Sequence, residues 1–177
     1  MEEFSYLIKA GQIKDQPHDY HLSASETQRA ALAKRFDLPA ISRLDGHFRL
    51  KHERGGIILA ALTMHADITQ ICVVTLEPFD EQLEEETSLR FVPVAMAQNA
   101  AKGDEDEEDI TPESFDSPDE IFYEHDQIDL GAALSEQLAL ALNPYPRKPG
   151  ATLPDSATDE TANPFAALRG RLDKKPK

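Results

Sequence analysis

The side chains best placed to do chemistry are a single cysteine and six histidines. Cys72 stands in the stretch CVVTLEPF, three residues ahead of Thr75, where a second thiol would make half of a metal or redox pair. A structural zinc site needs about four ligands and favours thiolates. One thiol does not supply that set, and on a regular strand the i+3 neighbour Thr75 points to the opposite face, so the two converge only across a turn or bulge. Cys72 therefore reads as a small core hydrophobe, the usual role of a free cysteine. His18 and His21 have an H-x-x-H spacing, and His47, His52 and His65 fall in a strand-rich region. Imidazoles suit several transition metals, but strand positions i and i+3 again diverge and no carboxylate is spaced to complete a site. Neither a metal nor a cofactor is expected.

Catalytic signatures are absent from the sequence: no G-x-S-x-G, no glycine-rich phosphate loop, no H-E-x-x-H, and no cysteine with a motif-linked histidine. The chain is expected not to be an enzyme. The remaining chemistry is charge. Of the net −15, residues 1–76 contribute nothing, with nine acids against nine bases, residues 77–126 hold eighteen acids against Arg90 and Lys102, and residues 127–177 are close to neutral. Bases gather in two places: Arg43, Arg49, Lys51 and Arg54 beside His47 and His52, and Arg169, Arg171, Lys174, Lys175 and Lys177 at the C-terminus. Both are candidate RNA-phosphate contacts, because backbone charge supplies most non-specific affinity for nucleic acid and acts through its local distribution. No aromatic RNP signature or KH-type loop accompanies them, so base-specific readout is not expected.

These groups must be positioned by one core, since 177 residues suit a single domain with appendages. Phe48, Leu50 and His52 alternate with Arg49 and Lys51, Gly55-Gly56 signals a turn, and apolar runs follow at 57–64 and 68–76, with a further strand at 87–94. Consecutive strands with short connections predict an α+β fold: an antiparallel sheet or partly closed barrel with packed helices. Ser25 and Gln28 have capping-box spacing ahead of a helix that Pro39 ends. Leu130, Leu134, Leu138 and Leu142 recur every fourth residue behind a candidate N-cap, Asp129, and before Pro144, which predicts a helix lying across the sheet. Between the strands and this helix, about 95–126, the uninterrupted acids 104–109 and scarce apolar groups predict a long mobile acidic loop. The single domain is expected over 1–146, a Pro-rich linker over 147–162, and a short helix with a basic tail over 163–177. Phe165, Leu168 and Leu172 share a face of that helix and are expected to dock in a groove, in cis or in trans. With no long apolar run and no leader pattern, a cytoplasmic protein is expected.

Three stretches in order, CVVTLEPF, IDLGAALSEQLALALNPYP and NPFAALRGRL, resemble the YceD-like family of large ribosomal RNA subunit accumulation proteins over about 60–172. Cys72, Leu76, Glu77, Pro78 and Phe79 match the family's C-x-R-C-L-E-P-F pattern, with Val74 and Thr75 standing where it has arginine and a second cysteine. Asp129, Leu130, Glu136, Gln137, Leu138, Leu140 and Pro144 match along the leucine-rich helix, whereas YPRKPGATLP lacks the cysteines that many members carry after it. The resemblance implies a non-catalytic role in synthesis, processing or stability of the bacterial large-subunit (23S) ribosomal RNA, with that RNA or a ribosomal protein as partner and no membrane or small-molecule substrate. An alternative is a protein-binding module whose acidic loop shields a basic ribosomal protein without touching RNA.

Overall fold

The structure is a computed structural model that describes residues 4–96 and 118–152. Its element order is β1 (Leu7–Lys9), β2 (His18–Ser23), α1 (Glu26–Arg35), β3 (Ala40–His52), β4 (Ile58–Ile71), β5 (Pro78–Pro93), β6 (Asp119–Tyr123), β7 (Gln127–Asp129) and α2 (Leu130–Ala141), with short 3-10 turns at 10–12 and 54–56. Strands β2 to β6 form one sheet in chain order, and β1 pairs with β7 in a separate ribbon. The α+β expectation holds, with two refinements. The sheet stays open rather than closing into a barrel, and it is mixed, because β6 runs parallel to β5.

The sheet buries one face. Phe48 and Leu50 on β3, Ile58, Leu62, Met64 and Ile68 on β4, and Leu89 and Phe91 on β5 all have almost no exposure. Each alternates with a residue on the other face, as a period of two requires. The two apolar runs read separately at 57–64 and 68–76 are one strand as far as Ile71. Ala66 keeps the inward alternation between Met64 and Ile68, while His65 and Asp67 point outward. The chain then leaves the strand at Cys72, which corrects the expected strand through 76. Pro78 opens β5, in register with Ile71. A proline at the first strand residue forfeits no interior ladder bond. The strand expected at 87–94 is the end of β5.

Both helices start as their sequences dictate. Ser25 accepts from the Gln28 amide while the Gln28 side chain accepts from the Ser25 amide. Asp129 accepts from the Ala132 amide at 3.0 Å, and also from Ser5 Oγ at 2.6 Å and the Tyr6 amide at 2.8 Å, so one carboxylate caps α2 and fastens the N-terminal segment to it. Leu130, Leu134 and Leu138 are fully buried against the sheet. Leu134 sits where β3 has no side chain: a Cβ on Gly46 would lie 2.8 Å from its Cδ2. Within the stretch expected to be an acidic loop, residues 119–123 form β6. Residues 97–117, and the linker and tail from 153 onward, lie outside the described residues.

The packing at Gly46 and the cap at Asp129 can each be tested by stability. Gly46→Ala should cost about 1–3 kcal/mol through overpacking against Leu134, and the loss on combining it with Leu134→Ala should be smaller than the sum of the two single losses, as read by urea denaturation in a double-mutant cycle. Burial raises the Asp129 carboxyl, but hydrogen bonds from Ser5 and the amides of Tyr6, Ala132 and Gly131 outweigh it and hold the group below 3.8. A depressed carboxyl stabilises the fold above its unfolded pKa of about 3.9, and that contribution disappears as pH falls through the lower folded value. Asp129→Ala should therefore cost about 1–2 kcal/mol near neutrality, and Asp129→Asn should show a shallower acid-side loss of stability than wild type in the same titration.

Candidate nucleic-acid interface

With one face of the sheet closed, the alternation of β3 sends Arg43, Asp45, His47, Arg49 and Lys51 to the other face. Their neighbours follow from the register: Asp19, His21 and Ser23 on β2 lie opposite Arg49, His47 and Asp45, and Ala61, Thr63, His65 and Asp67 flank them on β4. The outward groups surround a shallow trough of about 450 Å³ lined by His21, Arg43, Asp45, His47, Thr63 and His65 among others. The rings of His21 and His47 stack with centroids 4.2 Å apart and planes 3° apart.

Two carboxylates hold this surface in place. Asp19 Oδ1 lies 3.1 Å from Arg49 Nε and 3.0 Å from His47 Nε2. The Arg49 hydrogen bond, ahead of His47 and against the opposing effect of burial, keeps the Asp19 carboxyl below its ordinary value. Asp45 accepts from Ser23 Oγ at 2.6 Å and from Arg43 Nε at 2.5 Å. Desolvation pushes the Asp45 carboxyl up, but these two bonds and the Arg43 charge bring it below 3.8. Lys51 and Arg54 have no carboxylate partner among the described residues and are exposed. Thus Arg43 and Arg49 are oriented with part of their charge balanced, while Lys51 and Arg54 offer free charge at the hairpin end. Across β4 the same face turns acidic, with Glu84 and Glu86 of β5 opposite His65 and Thr63.

Three of the four β-region bases singled out in the sequence, Arg43, Arg49 and Lys51, are therefore brought to the open face of β3, and Arg54 is exposed in the turn at the hairpin end. Arg169, Arg171, Phe165, Leu168 and Leu172 lie outside the described residues. The stacked imidazoles were missed, because the only signal for them is the long-range pairing of β2 with β3.

The cysteine motif lies elsewhere, at the turn joining β4 to β5. The Cys72 amide donates to the Glu77 carbonyl and the Leu76 amide to the Cys72 carbonyl, both at 2.9 Å, with Leu76 at φ 60°. This turn, rather than a strand, folds Thr75 back, and its amide approaches Cys72 Sγ at 3.5 Å. The Cys72 thiol is fully buried. A hydrogen bond from the Thr75 side chain, with further help from the Thr75, Lys148 and Val74 amides, overcomes burial and lowers its pKa to about 7.

A family model for the large ribosomal RNA subunit accumulation protein YceD matches residues 60–170, more than half of the chain. The chain belongs to the YceD family. No curated protein and no solved structure matches it. Of the residues on which the resemblance rests, Leu76 and Glu77 lie in the β4–β5 turn, Pro78 and Phe79 open β5, and Asp129, Leu130, Gln137 and Leu138 build the capped, buried side of α2. Glu136 and Pro144 are exposed. A zinc ion does not fit the turn as it stands. Cys72 is the sole thiol, Thr75 takes the second position as a hydrogen-bond donor, and no three His, Cys, Asp or Glu side chains among the described residues converge as metal ligands. Among the described residues no helix is long and apolar enough to cross a membrane.

If Thr75 holds the thiolate, Thr75→Val should raise the Cys72 pKa above its value of about 7. The check is thiolate absorbance against pH in the folded protein, with unchanged titration contradicting the assignment.

Proposed function

We propose that the chain is a non-catalytic cytoplasmic factor that supports accumulation of the large-subunit (23S) ribosomal RNA by holding that RNA on the outer face of β2–β4. Arg43, Arg49, Lys51 and Arg54 would contact phosphates. The observation that carries this reading is the placement of Arg43, Arg49 and Lys51 on alternate, solvent-facing positions of one strand, beside Arg54 at its hairpin end. Membership of a family named for large ribosomal RNA subunit accumulation supplies the RNA. The matched range begins inside β4, so the role given to β3 rests on geometry. The acids of β5 repel phosphate and would confine the RNA to the β2–β3 half of the face.

The paired reversal Arg49→Glu with Lys51→Glu tests the reading. Removing these two phosphate interactions should reduce the slope of log K against log salt by roughly 1.4 for single-stranded RNA, at about 0.7 per contact, with weaker binding to a large-subunit RNA fragment at every salt concentration. In cells depleted of the natural protein, the variant should fail to restore the large-subunit peak in sedimentation profiles. Full restoration by the variant, with an unchanged salt slope, would remove the assignment of β3.

A further inference from the structure

The β4–β5 turn presents an apolar surface that phosphate binding does not use. Ile71 is 42% exposed, Val73 44% and Leu76 76%, and Tyr145 from the segment after α2 is 73% exposed. The Val73 amide donates to the Pro146 carbonyl at 2.9 Å, so the segment that carries Tyr145 lies against the turn that carries Ile71, Val73 and Leu76. Leu76 is held in a left-handed conformation, φ 60°, which a leucine adopts at a cost and which here turns an apolar side chain into water. Acids edge this patch along β5: Glu77, which Lys148 pairs, and Asp80 begin a run that reaches Glu86 with no intervening base.

The described chain departs from this same place. Lys148 Nζ pairs with Glu77 Oε2 at 3.1 Å, and the described residues end four positions later, at Thr152. Beyond lies the sequence NPFAALRGRLDKKPK, residues 163–177, with Phe165, Leu168 and Leu172 at helical spacing and five bases against one acid. An apolar patch with acids at its edge is thus complementary in chemistry to a sequence with an apolar stripe and a basic flank. Residues 153–162 can span up to about 33–36 Å, and such a tether gives its cargo an effective concentration in the millimolar range. Other occupants fit less well. RNA phosphate would meet the acids of β5, and a second copy would place acidic rim against acidic rim.

We infer that residues 163–177 seat in cis on the patch of Ile71, Val73, Leu76 and Tyr145, with Phe165, Leu168 and Leu172 against it and Arg169 and Arg171 toward the start of β5. This docking is independent of the phosphate-binding role of β3. Amide hydrogen exchange on the full-length protein tests it, alongside a synthetic peptide of residues 163–177 and the variants Leu76→Ser and Phe165→Ser. At low salt the amides of 165–172 should exchange at least about tenfold more slowly than in the peptide. Either variant should abolish that difference, and salt near 1 M, where the Debye length falls to about 3 Å, should reduce it by screening the basic flank. Unchanged protection of β4 amides shows that the variants fold. If Leu76→Ser does not fold, Tyr145→Ser probes the other side of the patch. The inference is overturned if wild-type amides 165–172 exchange at the peptide rate, or if the patch variants leave their protection intact. Protection that grows with protein concentration also overturns it, because the docking then involves a second copy. None of these readouts involves RNA, so they stand or fall apart from the RNA-binding experiment.

Discussion

The close approach of Leu134 to Gly46 sets the rest of the structure. Helix α2 crosses the sheet where β3 offers no Cβ, and that absence lets Leu130, Leu134 and Leu138 reach full burial. Asp129 fixes where the helix begins and binds the N-terminal segment to it with the same carboxylate. Once that face is sealed, the register of β3 is no longer free. A slip of one residue would drive Arg49 inward and Phe48 into water, so the burial that holds the fold together also fixes the row of bases on the open side.

The parts legible from sequence are those governed by local rules. The capping box at Ser25, the N-cap at Asp129, the leucine stripe of α2 and the alternation of Phe48 and Leu50 against Arg49 and Lys51 each depend on residues a few positions apart. The parts that were not legible depend on distant pairing or on a single small residue. His65-Ala66-Asp67 looks like a break between two strands, yet Ala66 is enough to continue the inward alternation of β4. Strand β6 is hidden in an acidic stretch, and its parallel alignment is decided by β5. The stacking of His21 on His47 exists only once β2 and β3 are in register. For Cys72 and Thr75 the strand rule was sound but did not apply, because a turn with Leu76 at positive φ brings them together.

Charge is organised at the same scale. The open face of the sheet has bases on β3 and acids on β5, each one strand away from β4, so attraction and repulsion for a polyanion meet across β4. Asp19 and Asp45 orient Arg49 and Arg43 while leaving Lys51 and Arg54 unpaired among the described residues. On the proposed reading, a surface of this kind gives a bound RNA orientation more than affinity. The YceD turn and helix supply the framework, and the strand that precedes the matched range supplies the bases.

The proposed role stands on large-subunit RNA lying along the outer face of β3. Ultraviolet crosslinking in growing cells, followed by identification of the crosslinked peptides and the attached RNA, puts that placement to the test without any substitution. Crosslinks to large-subunit RNA should fall within residues 43–54 and on neighbouring β2 residues around His21, with none on the outer positions of β5. Crosslinks confined to β5, or RNA drawn chiefly from other species, would refute the placement.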